Sequence, residues 1–266
     1  EIAYIPATDE EWPAKSGKWI AGDDPAKFAP MLLADGVKWG RFWTNLIAGY
    51  GNWNAWKPYG IKSLVTMSFK ENTATLAESC SPDAFIRQLP TTCSRLSGVD
   101  ILNMFNELQF RQYCPGEIPQ TTAGYKRLCD SYYRPMSAML GKDRMCGPSV
   151  LPHYEGAKHL RMMIDAGLYD PALTTYADFH LYFGAGTPKQ QIIDKIGECR
   201  AMLPAGIKLI SSEFGKDVND NSLDYTRLES NYATYATLGI SPMTHFMGGT
   251  MMRFKHTKGI YSRDGK

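Results

Sequence analysis

The 266-residue chain has no apolar run long enough to cross a bilayer, and no Lys/Arg block interleaved with aromatics that could track a phosphate backbone. Neither a membrane span nor a nucleic-acid partner is expected. Its 29 basic and 27 acidic residues leave a formal net charge of +2, too small to steer a charged partner strongly. None of the six cysteines stands in a CxxC pair, which excludes zinc-ribbon and thioredoxin-type sites. With no HExxH and no histidine pair at helical ligand spacing, no metal and no other cofactor is expected. A GxSxG elbow is missing as well, and Gly184-Ala185-Gly186 lacks the third glycine of a dinucleotide-binding turn.

The even number of cysteines, Cys80, Cys93, Cys114, Cys129, Cys146 and Cys199, suggests at least one disulfide and, with it, a secreted or extracytoplasmic location. Buried thiols are the alternative. No Asn-x-Ser/Thr acceptor adds support for export. The chain starts at Glu1 without an initiator Met or apolar leader and is expected to be a processed or excised form. No self-complementary apolar edge stands out, so a monomer is expected.

Composition is otherwise ordinary, with 44% hydrophobic and 21% charged residues, and the length suits one barrel domain over residues 1–266. Short apolar runs alternate with longer helix-like segments. The runs start near Val37, Ile61, Val99, Arg144, Ala177, Ile207 and Ile240, with an eighth at Ile2 to Ile5 or Trp19 to Ala21. Helices are predicted over Asp24 to Asp35, Ser81 to Leu96, Thr122 to Leu140, Gln190 to Leu203 and Leu223 to Leu238. Eight such units make a (β/α)8 TIM barrel, compact and expected to lack a full final helix, because little chain follows the last strand.

In such a barrel the reacting groups sit at the C-terminal ends of the strands. Glu107, in Phe105-Asn106-Glu107-Leu108, ends the fourth predicted strand, and Glu213, in Ser211-Ser212-Glu213-Phe214, ends the seventh. A carboxylate at the end of an apolar strand needs a structural or chemical reason, since burying it unpaired is costly. Two carboxylates facing one cleft can cut a glycosidic bond, one giving a proton to the leaving oxygen and the other attacking the anomeric carbon. Either glutamate alone could instead be favoured by a helix N-terminus. Aromatics make up 12% of the chain, and Trp43, Trp53 and Trp56 crowd the segment after the second strand, where a ring could lie against a sugar face. Core packing is the other use of those rings.

Asn106-Glu107, His180-Leu181-Tyr182 and Ser212-Glu213-Phe214-Gly215, at the ends of strands four, six and seven, resemble the retaining glycoside hydrolases of clan A. The resemblance runs over nearly the whole chain and extends loosely to small β-1,3-glucanase or cellulase barrels. It implies Glu107 as acid/base, Glu213 as nucleophile, and Asn106 as a ligand for the sugar 2-hydroxyl. It further implies that Arg41 keeps Glu213 ionised, that Tyr182 bonds to Glu213, and that His180 lines the pocket. Leu108 replaces the Pro that many clan members have after the Asn-Glu pair, and His245-Phe246 stands where many carry a Trp, so His245 becomes a candidate pocket residue. The implied function is an endo-acting hydrolase of a poly- or oligosaccharide, with β-glucan favoured, working by double displacement. A non-catalytic carbohydrate-binding barrel and a transglycosylase using the same two glutamates are the alternatives.

Overall fold

Short apolar strands separated by amphipathic helices bury both sheet faces only when the helices wrap a parallel sheet. The computed structural model describes residues 2–4, 25–34, 38–47, 53–70, 72–183, 187–214 and 233–245. Within them, eight parallel strands close in chain order into one barrel. They are β1 (Ile2–Tyr4), β2 (Trp39–Asn45), β3 (Lys62–Ser68), β4 (Ile101–Met104), β5 (Met145–Val150), β6 (Tyr176–Phe179), β7 (Lys208–Phe214) and β8 (Met243–His245). Closure is made by β8 beside β1, where Ala3 pairs with Thr244 and Tyr4 with His245. The eighth predicted strand is thus the one at Ile2, and every predicted strand start lies within a few residues of an observed one.

The helices outside the sheet are α1 (Pro25–Ala34), α2 (Trp53–Trp56), α3 (Leu76–Ser79), α4 (Pro82–Arg95), α5 (Thr122–Leu128), α6 (Arg134–Leu140), α7 (Ala157–Asp165) and α8 (Lys189–Met202). Local chemistry sets their ends. Ser81 caps α4 by accepting from the Ala84 amide at 3.3 Å, Pro82 follows at the first position, and Asp83 and Arg95 complement the dipole at opposite ends. Phe85, Leu89 and Thr92 then bury one stripe of that helix. α5 and α6 are joined through the wide helical turn Cys129–Tyr133, so Thr122 to Leu140 is one continuous rod, as predicted. Of the helix expected over Leu223 to Leu238, residues 233–237 are helical and Leu238 is in the turn that follows, while residues 223–232 lie outside the described residues, as does any final helix after β8.

Alternation along the strands sorts the barrel interior into layers. Trp39, Leu64, Ile101, Cys146 and Ile210 form the lower one, with Tyr176 packed against it. Two residues further along their strands stand Arg41, Thr66, Asn103, Asp178 and Ser212, all buried. The interior therefore passes from apolar to polar towards the C-terminal end. The opposite strand faces, among them Phe42, Met67, Leu102 and Phe179, join the larger core beneath the helices.

Three breaks in this alternation aim side chains at the barrel mouth. β5 shifts register between Cys146 and Ser149, which turns Ser149 inward to donate to Asp178 Oδ2 at 2.7 Å. β7 shifts against β8 between Ser211 and Phe214, and the consecutive Ser212 and Glu213 both face the interior groups. At the end of β4, Phe105 has φ 74° and does not follow Ile101 and Asn103 inward. It stacks on Phe69 in the outer core instead, with centroids 5.4 Å apart and planes 12° from parallel. The chain then turns Asn106 and Glu107 (φ 41°) into the mouth. Left-handed conformations at such residues cost about 1–3 kcal/mol each and persist only where the surroundings enforce them. Here the Leu108 carbonyl accepts from Gln120 Nε2 at 2.6 Å and Tyr125 OH at 3.3 Å, while the Gln109 side chain bonds both backbone groups of Leu151.

The disulfide expectation is corrected: all six cysteines are free thiols. Each is occupied locally. Cys93 packs on Met136 Sδ at 3.6 Å, Cys114 faces the Ile118 carbonyl, Cys146 lies in the lower barrel layer, and Cys199 closes the buried stripe of α8. Burial pushes the thiols of Cys80, Cys114 and Cys129 up to about 11 and that of Cys199 up to about 12, which makes them poor nucleophiles for exchange. An even count carried no information about proximity, so the thiols lend no support to export. Thiol titration of the denatured, unreduced protein is expected to find all six, whereas four or fewer would contradict this arrangement.

Candidate active site

Glu107 and Glu213 reach the same mouth from β4 and β7 and are 8% and 7% exposed, enough to meet a ligand without being solvated. One oxygen of each, together with His180 Nδ1 or Nε2, falls in a group whose members all lie within 4.8 Å of one another. Arg41, on β2, forms a buried ion pair with Glu213 Oε1. Its Nε donates to Thr66 Oγ1 at 2.9 Å and its Nη2 to Asn106 Oδ1 at 3.4 Å, so the guanidinium is fixed between both strand ends. Tyr182 OH donates to Glu213 Oε2 at 2.8 Å. His180 Nδ1 lies 2.5 Å from Glu107 Oε1 and 3.4 Å from Glu213 Oε2. Its Nε2 lies 2.9 Å from Ser212 Oγ and 3.4 Å from Asp178 Oδ2.

These contacts push the two glutamates apart in acidity. Burial raises the Glu107 carboxyl above its ordinary range, and the nearby Glu213 charge adds to this against the pull of His180 and Arg41. Burial would raise Glu213 too, but Arg41, then His180, and the hydrogen bonds from Arg41 and Tyr182 hold it below the ordinary value. The mouth thus contains one carboxyl inclined to keep its proton and one inclined to lose it, which is the division of labour an acid and a nucleophile need. Burial disfavours a charged imidazole, yet Glu213, Asp178 and Glu107 around the ring outweigh it and raise His180 to about 10.

Glu107, His180 and Glu213 also have the spacing of a metal-ligand trio. Both carboxyl groups already have partners, however, Glu213 the Arg41 guanidinium and Glu107 the His180 ring, and an imidazole raised to about 10 is protonated at neutral pH and has no lone pair for a metal ion. The arrangement fits an ion-paired carboxylate site better than a metal centre.

Arg41, Asn106, Glu107, His180, Tyr182 and Glu213 are therefore brought together as expected. Trp43 joins them, two residues beyond Arg41 on the same strand face, half-buried, with Arg41 Cζ 5.4 Å from its ring centroid. Trp53 and Trp56 do not join. They are 1% and 3% exposed, and Trp53 meets Phe42 edge-on at 6.4 Å in the core beneath α2. Burial of both rings leaves neither a face for a sugar. The expectation for the His245 side chain lies outside the described residues. Sequence reasoning missed Asp178, which is fully buried and bonded to Ser149, Ser212 and His180. The signal was present in Tyr176-Ala177-Asp178-Phe179-His180, where Asp and His alternate on one face of an apolar strand.

Set against known proteins, the chain matches no family model and no curated protein sequence. Solved structures share its fold. An endo-β-1,3-glucanase of GH128 subgroup II from Sorangium cellulosum superposes with a TM-score of 0.60 at 14% identity, over 99% of this chain and 94% of that one. A GH128 subgroup I endo-β-1,3-glucanase variant from Amycolatopsis mediterranei, in complex with laminarihexaose, gives 0.59 at 12%, over 97% and 95%. A glucosidase from Croceicoccus marinus gives 0.67 at 12%, over 100% of this chain and 68% of the other. At these identities the likeness establishes the barrel architecture.

Two outcomes follow from the burial and charge of these residues. Trp53→Ala is expected to destabilise the protein by about 3–5 kcal/mol, read from urea unfolding, because it empties a core site. Unchanged stability with a raised KM for a sugar would restore the platform role. The second concerns pH. A histidine whose folded pKa is raised stabilises the fold fully below its unfolded value, roughly 6.5, and the gain is lost as pH rises through the folded one. The stability difference between wild type and His180→Gln should therefore shrink from pH 6.5 towards about 10. A difference that grows over that window would contradict a cationic His180.

Proposed function

We propose that the protein is a retaining glycoside hydrolase that cleaves β-glucan, with β-1,3 linkages as the favoured substrate. The observation that carries this reading is the pairing of Glu107 and Glu213. One oxygen of each lies within 4.8 Å of one oxygen of the other, and their proton affinities are shifted in opposite directions. Carboxyl groups roughly 5–5.5 Å apart leave no room for water between nucleophile and sugar, whereas inverting enzymes hold them roughly 6.5–9.5 Å apart. The β-1,3 preference rests on the similar folds of the two GH128 glucanases, one of them bound to laminarihexaose.

In the first step a Glu213 oxygen attacks the anomeric carbon as its bond to the leaving oxygen breaks, and Glu107 passes its proton to that oxygen. Arg41 and Tyr182 hold Glu213 ionised and oriented for the attack. Esterification removes the Glu213 charge, so Glu107 becomes an ordinary base. In the second step Glu107 takes a proton from water, the water oxygen bonds to the anomeric carbon, and the ester bond breaks to restore the Glu213 carboxylate. Asn106, fixed by Arg41, stands beside the two glutamates in position for a sugar hydroxyl. Trp43 offers a ring beside Arg41 at the mouth.

An aryl glycoside whose phenolate leaves without a proton separates the two roles. Glu107→Ala should lose about 10²–10⁴ in kcat/KM on β-1,3-glucan while keeping much of its first-step rate on the aryl substrate. Glu213→Ala should fail on both. Azide should then give a glycosyl azide of retained configuration with Glu107→Ala and of inverted configuration with Glu213→Ala. Wild-type polysaccharide cleavage by Glu107→Ala, or one anomer from both variants, would overturn the assignment.

A further inference from the structure

Resting on the hydrolase reading, a deeper assignment comes from the proton count around His180. We propose that Asp178 is a positioning residue that holds His180 as an imidazolium, so that the Nδ1 hydrogen occupies Oε1 of Glu107 and leaves Oε2 to carry the proton delivered to the leaving group.

The argument begins at the bottom of the array. Asp178 Oδ1 accepts from the Ser212 amide at 2.7 Å, and Oδ2 accepts from Ser212 Oγ at 2.5 Å and Ser149 Oγ at 2.7 Å. A fully buried carboxyl that accepts from three hydrogen-bond donors is ionised and accepts only. The single hydroxyl hydrogen of Ser212 is thereby committed to Asp178. What Ser212 Oγ turns towards His180 Nε2 is a lone pair, and the second neighbour of Nε2 is Asp178 itself at 3.4 Å, so Nε2 carries a hydrogen. On the other side of the ring, Nδ1 faces Glu213 Oε2 at 3.4 Å, an oxygen kept ionised by Tyr182 and Arg41. A bare Nδ1 would set a lone pair against that charge. Both nitrogens are therefore donors, and the direction of the His180 shift, up to about 10, agrees.

The groups facing the ring are Glu107 from the end of β4, Asp178 and Tyr182 from β6 and its extension, and Ser212 and Glu213 from β7. Arg41 of β2 acts on it through Glu213. Among these, Asp178 is the carboxylate that neither gains nor loses a bond during the reaction. It keeps the imidazolium in place while Glu213 loses its charge on esterification. The same Nδ1 hydrogen then favours Glu107 as a carboxylate just when it must accept a proton from water.

The test is nitrogen-15 NMR of the intact protein with labelled histidine, the His180 signals being assigned by their loss in His180→Gln. The wild type should show both His180 nitrogens protonated from pH 6 to pH 8. Asp178→Asn should lower the His180 titration by at least about one pH unit. It should also reduce kcat on β-1,3-glucan at least tenfold, with a smaller loss on the aryl glycoside that needs no acid, and Asp178→Glu should recover part of the NMR shift. A neutral, singly protonated His180 at pH 7 in the wild type overturns the proposal, as does an unaltered His180 titration in Asp178→Asn. Should Asp178→Asn fail to fold, the wild-type spectrum and Ser212→Ala, which keeps the Asp178 charge and should keep the imidazolium, decide it. Because the spectra need no turnover, the two readings fail separately: a protein that cleaves no glucan yet holds a doubly protonated His180 defeats the hydrolase reading and the proton delivery built on it, while the charge state that Asp178 gives His180 stands.

Discussion

Three carboxyl groups, those of Glu107, Asp178 and Glu213, are buried in the mouth of one barrel, and they can share it because Arg41 and His180 stand among them. An unpaired charge in such a place would cost several kcal/mol, and removing one partner of a buried pair typically costs about 3–5 kcal/mol. The balance is directional as well as numerical. Arg41 leans on Glu213 and reaches Asn106, whereas His180 leans on Glu107 with Asp178 behind it. That asymmetry divides two chemically identical side chains into a carboxyl inclined to keep its proton and one inclined to lose it.

The backbone is shaped to permit it. A regular (β/α)8 barrel would put every second residue inward and could not turn Ser212 and Glu213, or Asn106 and Glu107, to the mouth in succession. The register shifts in β5 and β7 and the positive φ of Phe105 supply those departures, and each occurs where the interior changes from apolar to polar. Their cost is met by the packing beneath them: the Phe69–Phe105 stack, Tyr132 edge-on to both rings, and the bonds that clamp the Leu108 and Gln109 backbone. Stability under the helices and reactivity at the strand ends are thus coupled through β4. Bulges at functional ends of barrels serve this aiming role generally.

Much of this was legible in the amino-acid order. Capping residues such as Ser81, proline at helix starts and the apolar runs located the elements, because these are local rules that tertiary contacts had no reason to override here. The glutamate pair was legible because carboxylates at apolar strand ends are rare without a purpose. What was not legible depended on distance or burial. An even number of cysteines does not say which thiols meet. Trp53 and Trp56 follow a glycine-containing segment that reads as an exposed loop, yet Phe42 and the core draw them inward. Asp178 passed unnoticed because aspartate in a short strand reads as a turn former, and only its alternation with His180 marks it as an interior group. The Phe105 conformation has no sequence signal, since a bulky aromatic is among the residues least expected at positive φ.

The central claim is that Glu107 and Glu213 act by double displacement on one sugar face after the other. The most direct measurement is proton NMR of the anomeric configuration of the first-formed product as the wild-type protein cleaves a β-1,3-linked glucose oligomer, recorded before mutarotation. The account expects the β-anomer to appear first and to convert slowly to the equilibrium mixture. An α-anomer as the first product would mean that water attacks directly, and that the pair Glu107 and Glu213 does not work as the geometry implies.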